Sequence, residues 1–120
     1  MAKRILVVDD DDMNLMRTEM ILEEDYEVLL ADSGVRALHI LRNQKIDLVL
    51  LDIDMPVMNG IETFQHMKEF AGSIPVIFLT ASGEVGDVVE ALLLGAVNYL
   101  RKPCPPQELR KRVAQELEKR

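Results

Sequence analysis

Acidic, hydroxyl and basic side chains follow four of the five short apolar runs in this sequence. They are Asp9, Asp10 and Asp11 after the first run, Asp52 and Asp54 after the third, Thr80 and Ser82 on either side of Ala81 after the fourth, and Lys102 after the fifth. Carboxylates gathered in one pocket repel one another, and a bound divalent cation or a raised pKa resolves the conflict. Ligands that are all oxygen favour Mg²⁺, which commonly bridges carboxylates to phosphate. A lysine and a hydroxyl nearby would stabilise the oxygens of a transferring phosphoryl group.

The convergence of these side chains depends on the order of strands and helices. Short apolar runs alternate five times with segments of helical periodicity, which is typical of βα units. The predicted strands are residues 4–8, 27–30, 47–51, 76–79 and 98–100. Right-handed crossovers would place helices on both faces of one parallel sheet, a three-layer α/β/α sandwich. The polar residues then share the carboxyl edge of the sheet, where open α/β sheets bind ligands.

The helical segments carry apolar stripes and start signals. The stripes are Ala37, Leu38 and Leu41, then Ile61, Phe64 and Met67, then Val85, Val88, Val89 and Leu92, and finally Leu109, Val113 and Leu117. Asp12, Ser33 and Asn59 are the predicted N-caps of the first three helices. Each offers a side-chain oxygen to the free N–H groups of a first helical turn.

Several residues of reactive types are expected to have no chemical role. His39 and His66 fall on helices away from the acidic residues, and Cys104 has no histidine near it in the sequence. We expect the three methionines of the first helix to fill the core. They are Met13, Met16 and Met20.

The composition excludes several classes of protein. The chain has 120 residues, 48% of them apolar and 29% charged, which suits one folded domain. Its single cysteine cannot form an internal disulfide, and no apolar run has the length of a signal-peptide core or a membrane span. We therefore expect a protein of the reducing cytoplasm. A formal net charge of −7 disfavours binding to nucleic acid or to anionic membranes.

Four segments occur in a specific order and spacing. They are residues 5–11 (ILVVDDD), 47–60 (DLVLLDIDMPVMNG), 75–81 (PVIFLTA) and 95–103 (GAVNYLRKP). Together they resemble the receiver domain of two-component response regulators, although each segment alone would be weak. The resemblance spans nearly the whole chain and implies one receiver domain over residues 1–120. It also implies the flavodoxin-like (βα)5 fold, a doubly wound parallel sheet with strand order 2-1-3-4-5.

The resemblance implies a role for each acid at the site. Asp52 would be the phosphoryl acceptor, whose carboxylate attacks the phosphohistidine of a sensor kinase to form an acyl phosphate. Asp10 would bind Mg²⁺ directly and Asp9 mainly through water. Asp52 and the backbone carbonyl of Asp54 would complete the protein ligands.

The resemblance also implies roles for residues that follow the fourth and fifth strands. Lys102 would pair with the phosphoryl group, and the Ala81 backbone N–H would donate to it. Thr80 would move toward the phosphate and Tyr99 would rotate inward behind it, changing the face formed by the fourth helix, fifth strand and fifth helix. The Lys102–Pro103 peptide bond is expected to be cis.

The partners implied are a sensor histidine kinase or phosphotransfer protein, and an output domain or effector protein that could belong to a longer chain. A phosphorylation-dependent homodimer is also implied. The chain would be a switch rather than an enzyme with a separate substrate, although it would promote its own phosphorylation and slow dephosphorylation. No direct nucleic-acid or membrane contact is expected of this domain.

Four positions depart from common family patterns. Asp54 places an acid two residues after the acceptor, where its side chain could repel or orient the attacking water and so change the dephosphorylation rate. Val97 and Asn98 replace an acidic pair used in the charged dimer contact of one large subfamily of transcription factors, which puts that dimer in doubt. Cys104 replaces an aromatic residue that often follows the Lys-Pro pair.

Three other classes of protein share part of the pattern. A haloacid dehalogenase-like phosphatase also has an apolar strand followed by Asp-x-Asp, but it has Thr or Val where this chain has Pro56. A flavin or nucleotide module needs a glycine- or hydroxyl-rich first turn, whereas residues 9–12 repel phosphate unless a metal intervenes. A phosphorylation-independent interaction domain would not need the acceptor, the acid pair, Thr80 and Lys102 together.

Overall fold

Strands and helices alternate five times along the chain. The computed structural model describes residues 2–81 and 85–119. The elements are β1 (Arg4–Val8), α1 (Asp12–Leu22), β2 (Glu27–Ala31), α2 (Gly34–Asn43), β3 (Leu48–Leu51), α3 (Gly60–Ala71), β4 (Val76–Thr80), α4 (Val85–Leu93), β5 (Asn98–Arg101) and α5 (Pro106–Glu118). A helix follows every strand, so each connection between parallel strands is a crossover, as the βα pattern predicts.

The five strands form one parallel sheet in the order β2-β1-β3-β4-β5. Val8 pairs with Ala31 of β2 and with Leu51 of β3, so these three strands end at the same level. Every residue of β3 and β4 is buried, as expected for central strands covered on both faces. The predicted α/β class and the strand order 2-1-3-4-5 are therefore confirmed.

The core has two layers because successive side chains of a strand point to opposite faces of the sheet. One layer joins the sheet to α2, α3 and α4, and Val8, Leu51 and Phe78 are among its strand residues. The other layer joins the sheet to α1 and α5. The helices thus divide three to two between the faces, which gives the predicted three-layer sandwich.

The observed strand limits differ from the predicted ones by single residues. β2, β4 and β5 each extend one residue further, since Ala31 still pairs with Val8 and Thr80 with Arg101. β3 begins at Leu48 instead of Asp47, whose side chain accepts a hydrogen bond of 2.8 Å from the backbone N–H of Arg4. Apolar runs thus located the strands, while the register of neighbouring strands determines where each one ends.

Two of the three predicted helix caps are confirmed. Ser33 caps α2, and Asn59 forms a capping box with Glu62 at the start of α3. The prediction for α1 is wrong by one residue, because Asp11 is its cap and Asp12 is the first helical residue. The Asp11 carboxylate accepts hydrogen bonds from the backbone N–H groups of Met13 and Asn14. Only a residue still in extended conformation can direct its side chain to these groups.

The three methionines of α1 lie on the surface, which overturns the prediction that they fill the core. Met13, Met16 and Met20 are 73%, 56% and 65% exposed. The buried residues of α1 are instead Leu15, Thr18 and Leu22. At 100° per residue these two sets fall on opposite sides of the helix. The methionine strip (Met13, Met16 and Met20) is therefore an exposed apolar surface.

The predicted apolar stripe of α4 is only partly a core stripe. Val89 and Leu92 are each 49% exposed, whereas Ala91 is fully buried. The side chains of Val85 and Val88 lie outside the described part of the structure. The stripes of α2, α3 and α5 do face the sheet: Ala37, Leu41, Ile61, Phe64, Met67, Leu109 and Val113 are buried.

The two histidines lie on the surface and the single cysteine lies in the core. His39 and His66 are exposed on α2 and α3. Cys104 is buried, and burial raises the pKa of its thiol, which disfavours the reactive thiolate. Within residues 2–81 and 85–119, none of the helices combines the length and apolar character needed to cross a membrane.

Candidate functional site

Three carboxylates meet at the carboxyl ends of β1 and β3. Asp52 follows β3, and its backbone N–H donates a 3.0 Å hydrogen bond to the carbonyl of Val8, the last residue of β1. This pairing brings Asp52 beside Asp9 and Asp10. One carboxylate oxygen from each of the three lies within 4.8 Å of the others. The sequence prediction that these acids converge is thus met by the geometry.

Backbone N–H groups orient two of the carboxylates. The Asp9 Oδ1 atom accepts a hydrogen bond of 2.9 Å from the N–H of Asp11, and the Asp52 Oδ1 atom accepts one of 3.3 Å from the N–H of Asp54. Each bond spans two residues, the pattern of an Asx-turn. In both residues the second oxygen, Oδ2, faces Lys102. In each case the backbone two residues further along the chain therefore holds the carboxylate in place.

Lys102 supplies the positive charge of the site. Its Nζ atom is hydrogen bonded to Asp9 Oδ2 and lies 3.5 Å from Asp52 Oδ2. Burial raises the pKa of the Asp9 carboxyl, while the hydrogen bond from Lys102 acts in the opposite direction. Asp9 and Asp52 are only 5% and 7% exposed, so their charges are costly without a cation nearby.

The acidic cluster fits a hard divalent cation. Its donors are all carboxylate oxygens, and Asp10 is exposed beside two buried acids, which leaves the cluster open on one side. Mg²⁺ binds such carboxylates while keeping several waters. One lysine charge balances part of the charge of three acids, so a cation would relieve the remaining repulsion.

Thr80 and Lys102 occupy the ends of the next two strands. Thr80 is the last residue of β4 and is fully buried, and its carbonyl accepts a 2.9 Å hydrogen bond from the N–H of Lys102. Ala81 follows at an exposed position on the same edge of the sheet. The Lys102–Pro103 bond is cis, as the family resemblance implied. Ser82 lies outside the described residues.

Tyr99 lies on β5, apart from the acidic cluster. Its ring packs beside Phe78 of β4, with centroids 6.4 Å apart, and Phe78 meets Phe64 of α3 edge-to-face at 5.6 Å. The ring of Tyr99 is partly buried. These contacts place it at the end of an aromatic row that crosses one face of the sheet.

The loop after β3 contains two positions that the sequence analysis did not single out. Gly60 packs against the carbonyl of Asp52, where a Cβ atom would lie 2.1 Å from the oxygen. Val57 has a φ of 69° and is 99% exposed, and a 2.8 Å hydrogen bond joins the Met58 N–H to the Pro56 carbonyl across it. The bond is that of a γ-turn, which is unusual for a β-branched residue. Pro56 and Gly60, residue types common in turns, flank it in the sequence.

Comparison with known proteins agrees with this geometry. A sequence model of the response regulator receiver domain matches residues 5–114. A crystal structure of a CheY-like receiver domain protein from Methanospirillum hungatei has a TM-score of 0.95 and 33% identity, covering 99% of this chain and 96% of that chain. The chain therefore belongs to the receiver domains of response regulators, which are phosphoacceptor switches. This membership decides against the phosphatase and the nucleotide module as its class.

Two curated relatives differ in how much of their length this chain covers. The chain is 45% identical over 118 residues to the transcriptional regulatory protein YrkP of Bacillus subtilis, covering 98% of this chain but 50% of the relative. It is 38% identical over 111 residues to sporulation initiation phosphotransferase F of the same organism, covering 92% of this chain and 90% of that protein. The chain thus spans about half the length of the first relative and nearly all of the second.

The contact between Gly60 and the Asp52 backbone gives a test of the loop. We expect Gly60→Ala to lower the free energy of unfolding by about 3 kcal/mol, because the new methyl group meets backbone atoms that cannot move aside. Urea denaturation measures this loss. Gly86→Ala on exposed α4 is the matched control, since a Cβ atom there meets nothing within 4 Å, and it should leave stability unchanged or slightly raised. Equal effects of the two substitutions would contradict the packing described.

Proposed function

We propose that this chain accepts a phosphoryl group on Asp52 from the phosphohistidine of a sensor kinase, in a reaction that depends on Mg²⁺. The observation that carries the proposal is the meeting of Asp52 with Asp9, Asp10 and Lys102 at one edge of the sheet. One Asp52 oxygen attacks the phosphorus atom, the P–N bond to the donor imidazole breaks, and the imidazole nitrogen keeps the electron pair. The product is an acyl phosphate on Asp52.

The acids of the cluster would hold Mg²⁺ as the family resemblance implies. Asp10 would bind it directly, Asp9 mainly through water, and Asp52 and the Asp54 carbonyl would complete the protein ligands. The ion would neutralise the repulsion between Asp52 and an approaching phosphoryl group. The backbone hydrogen bonds to the Oδ1 atoms of Asp9 and Asp52 support this assignment, because they leave the carboxylates with little freedom to turn away.

Residues at the ends of β4 and β5 would receive the phosphoryl oxygens. Lys102 already lies between Asp9 and Asp52, so a phosphoryl group on Asp52 would compete with Asp9 for its ammonium. Thr80 and the Ala81 N–H would donate to the other oxygens. These donors belong to two neighbouring strands that are joined by the bond from the Lys102 N–H to the Thr80 carbonyl.

The same event would change the surface formed by α4, β5 and α5. Movement of Thr80 toward the phosphate opens space behind it, and Tyr99 would turn inward along the aromatic row. The altered face would control an output domain or an effector protein, or would pair two phosphorylated copies. The chain would thus serve as a cytoplasmic switch that promotes its own phosphorylation and slow dephosphorylation, without turning over a separate substrate.

The methionine strip is the surface that we assign to the donor kinase. Its three residues follow directly after the Asp9–Asp11 turn on α1, so a protein seated there would be close to Asp52. Pro106 and Ile21 line the same apolar groove, and Arg17 and Arg110 border it. Exposed methionines adapt well to a protein partner, and a continuous apolar patch indicates an interaction surface.

Phosphorylation itself can be measured by intact-mass spectrometry after incubation with acetyl phosphate. We expect the wild type to gain one phosphoryl group in the presence of Mg²⁺ and none after chelation, since the acids repel the donor without a cation. Asp52→Asn should gain none. A gain in both proteins would move the acceptor away from Asp52, and a gain in neither would contradict the proposed chemistry.

The Asp54 side chain offers a test of dephosphorylation. It is exposed, so solvent screens its repulsion of the phosphoryl group, while its oxygens can still accept a hydrogen bond from the attacking water. We expect Asp54→Asn to lengthen the acyl-phosphate half-life about two- to fivefold, which corresponds to a barrier higher by less than about 1 kcal/mol. The half-life is followed by the loss of phosphorylated mass. An unchanged half-life would exclude a role for this carboxylate.

The assigned donor surface predicts a difference between protein and small-molecule donors. The donor is a phosphorylated sensor kinase that transfers its phosphoryl group to the wild type. Met16→Glu should slow this transfer at least about tenfold, because the substitution places a charge in an apolar contact. Its rate with acetyl phosphate should not change. Val35→Glu is the control, since Val35 is 58% exposed on α2, on the opposite face of the sheet. Equal transfer rates for the two variants would reject the assignment.

A further inference from the structure

The C-terminal end of α4 is held by a residue from another helix. After the last turn the chain reverses at Gly95, whose φ is 106°, and the N–H of Ala96 donates a 3.0 Å hydrogen bond to the carbonyl of Ala91. The carbonyl of Leu94 accepts a hydrogen bond from the Nζ atom of Lys68, which lies on α3. The last turn of α4 contains no basic residue of its own, so Lys68 supplies the positive charge favoured at a helix C-terminus.

A second contact fixes the place of the Lys68 ammonium. It lies 5.4 Å from the centroid of the Phe64 ring, within range of a cation–π interaction. A Cβ atom at position 95 would lie 3.4 Å from Nζ, so Gly95 leaves room for the ammonium beside the turn. Lys68 therefore joins three parts of the structure: α3, the end of α4, and the aromatic row.

The aromatic row connects this lysine to Tyr99. Phe64 packs edge-to-face on Phe78, and Phe78 lies beside Tyr99. Any movement of Tyr99 that displaces Phe78 and Phe64 changes the surface on which the ammonium rests. In a close-packed core such shifts pass from ring to ring because no free volume absorbs them.

Helix α4 has few other attachments among its described residues. Ala91 is buried, but Val89 and Leu92 are half exposed and Leu93 is 82% exposed. These described side chains, apart from Ala91, therefore contribute little packing free energy. Among the described contacts, the charge-assisted hydrogen bond from Lys68 is the one that holds the C-terminal end of the helix to α3.

We propose that Lys68 acts as a clamp that stabilises the present position of α4 and so opposes the phosphorylated state. This inference rests on the proposed function, in which phosphorylation of Asp52 moves Tyr99 and α4. Lys68 is a positioning residue, since it touches neither the acids nor Lys102 in the contacts described. Loss of its ammonium would shift the equilibrium toward the activated arrangement.

Beryllofluoride is a phosphoryl analogue that binds carboxylates. The experiment measures its affinity for the protein at saturating Mg²⁺, and the NMR signal of the Ala81 amide reports binding. We expect Lys68→Met, which keeps the apolar stem, to bind beryllofluoride about three- to fivefold more tightly than the wild type. Lys68→Arg retains a cationic donor and should bind nearly as the wild type does. Lys45→Met, at an exposed lysine on the loop before β3, is the control and should have no effect.

Hydrogen exchange without beryllofluoride supplies a second measurement. The amides of Leu94, Gly95 and Ala96 should exchange faster in Lys68→Met and not in Lys68→Arg. Faster exchange together with unchanged beryllofluoride affinity would overturn the clamp, because Lys68 would then only stabilise the helix end. Weaker binding by Lys68→Met would overturn it as well. Failure of the wild type to bind beryllofluoride would instead contradict the proposed function, and the clamp would fall with it.

Discussion

The structure depends on the burial of two carboxylates, Asp9 and Asp52, beside one ammonium. A buried ion pair gains little when the cost of removing its charges from water is counted. Here two acids share a single lysine, so the site keeps a net negative charge that a cation can neutralise. A backbone hydrogen bond to each carboxylate opposes the simplest relief, which is rotation of an acid into solvent. The fixed carboxylates and their net negative charge therefore favour the binding of a cation, together with an anionic group that the cation can neutralise.

The sheet makes this arrangement possible. β1 and β3 are neighbours although β2 lies between them in the chain, and the strand order reverses at this point. Helices leave the two strands toward opposite faces, which opens a crevice at their carboxyl ends. Gly60 allows α3 to begin directly against the backbone of Asp52, and a side chain there would push α3 away from the end of β3. The fold thus brings acids from distant parts of the sequence within one cation's reach.

Most of the fold and the acidic site could be predicted because both depend on strong local signals. Apolar runs mark buried parallel strands, and acids that follow such runs must lie at one edge. The features that were predicted wrongly or missed depend instead on how the helices pack. The methionines of α1 are apolar, so their type suggested the core, but a second stripe of Leu15, Thr18 and Leu22 occupies the buried side. Lys68 gives no sequence signal at all, since its contact with Leu94 exists only once α3 and α4 are packed together.

The exposed apolar surfaces of α1 and α4 lie on opposite faces of the sheet, and the site lies between them. A partner seated on the methionine strip would lie near the β1 end of the site, whereas the described residues connect Asp52 to α4 through the ends of β4 and β5 and the aromatic row. The surface that we assign to the kinase and the surface that we expect phosphorylation to change are therefore separated in space, and packing rather than a shared surface connects them. Neither surface contributes an acid or the lysine of the cluster, so under the proposed function a change of partner at α1 or at α4 would leave the chemistry of the site intact.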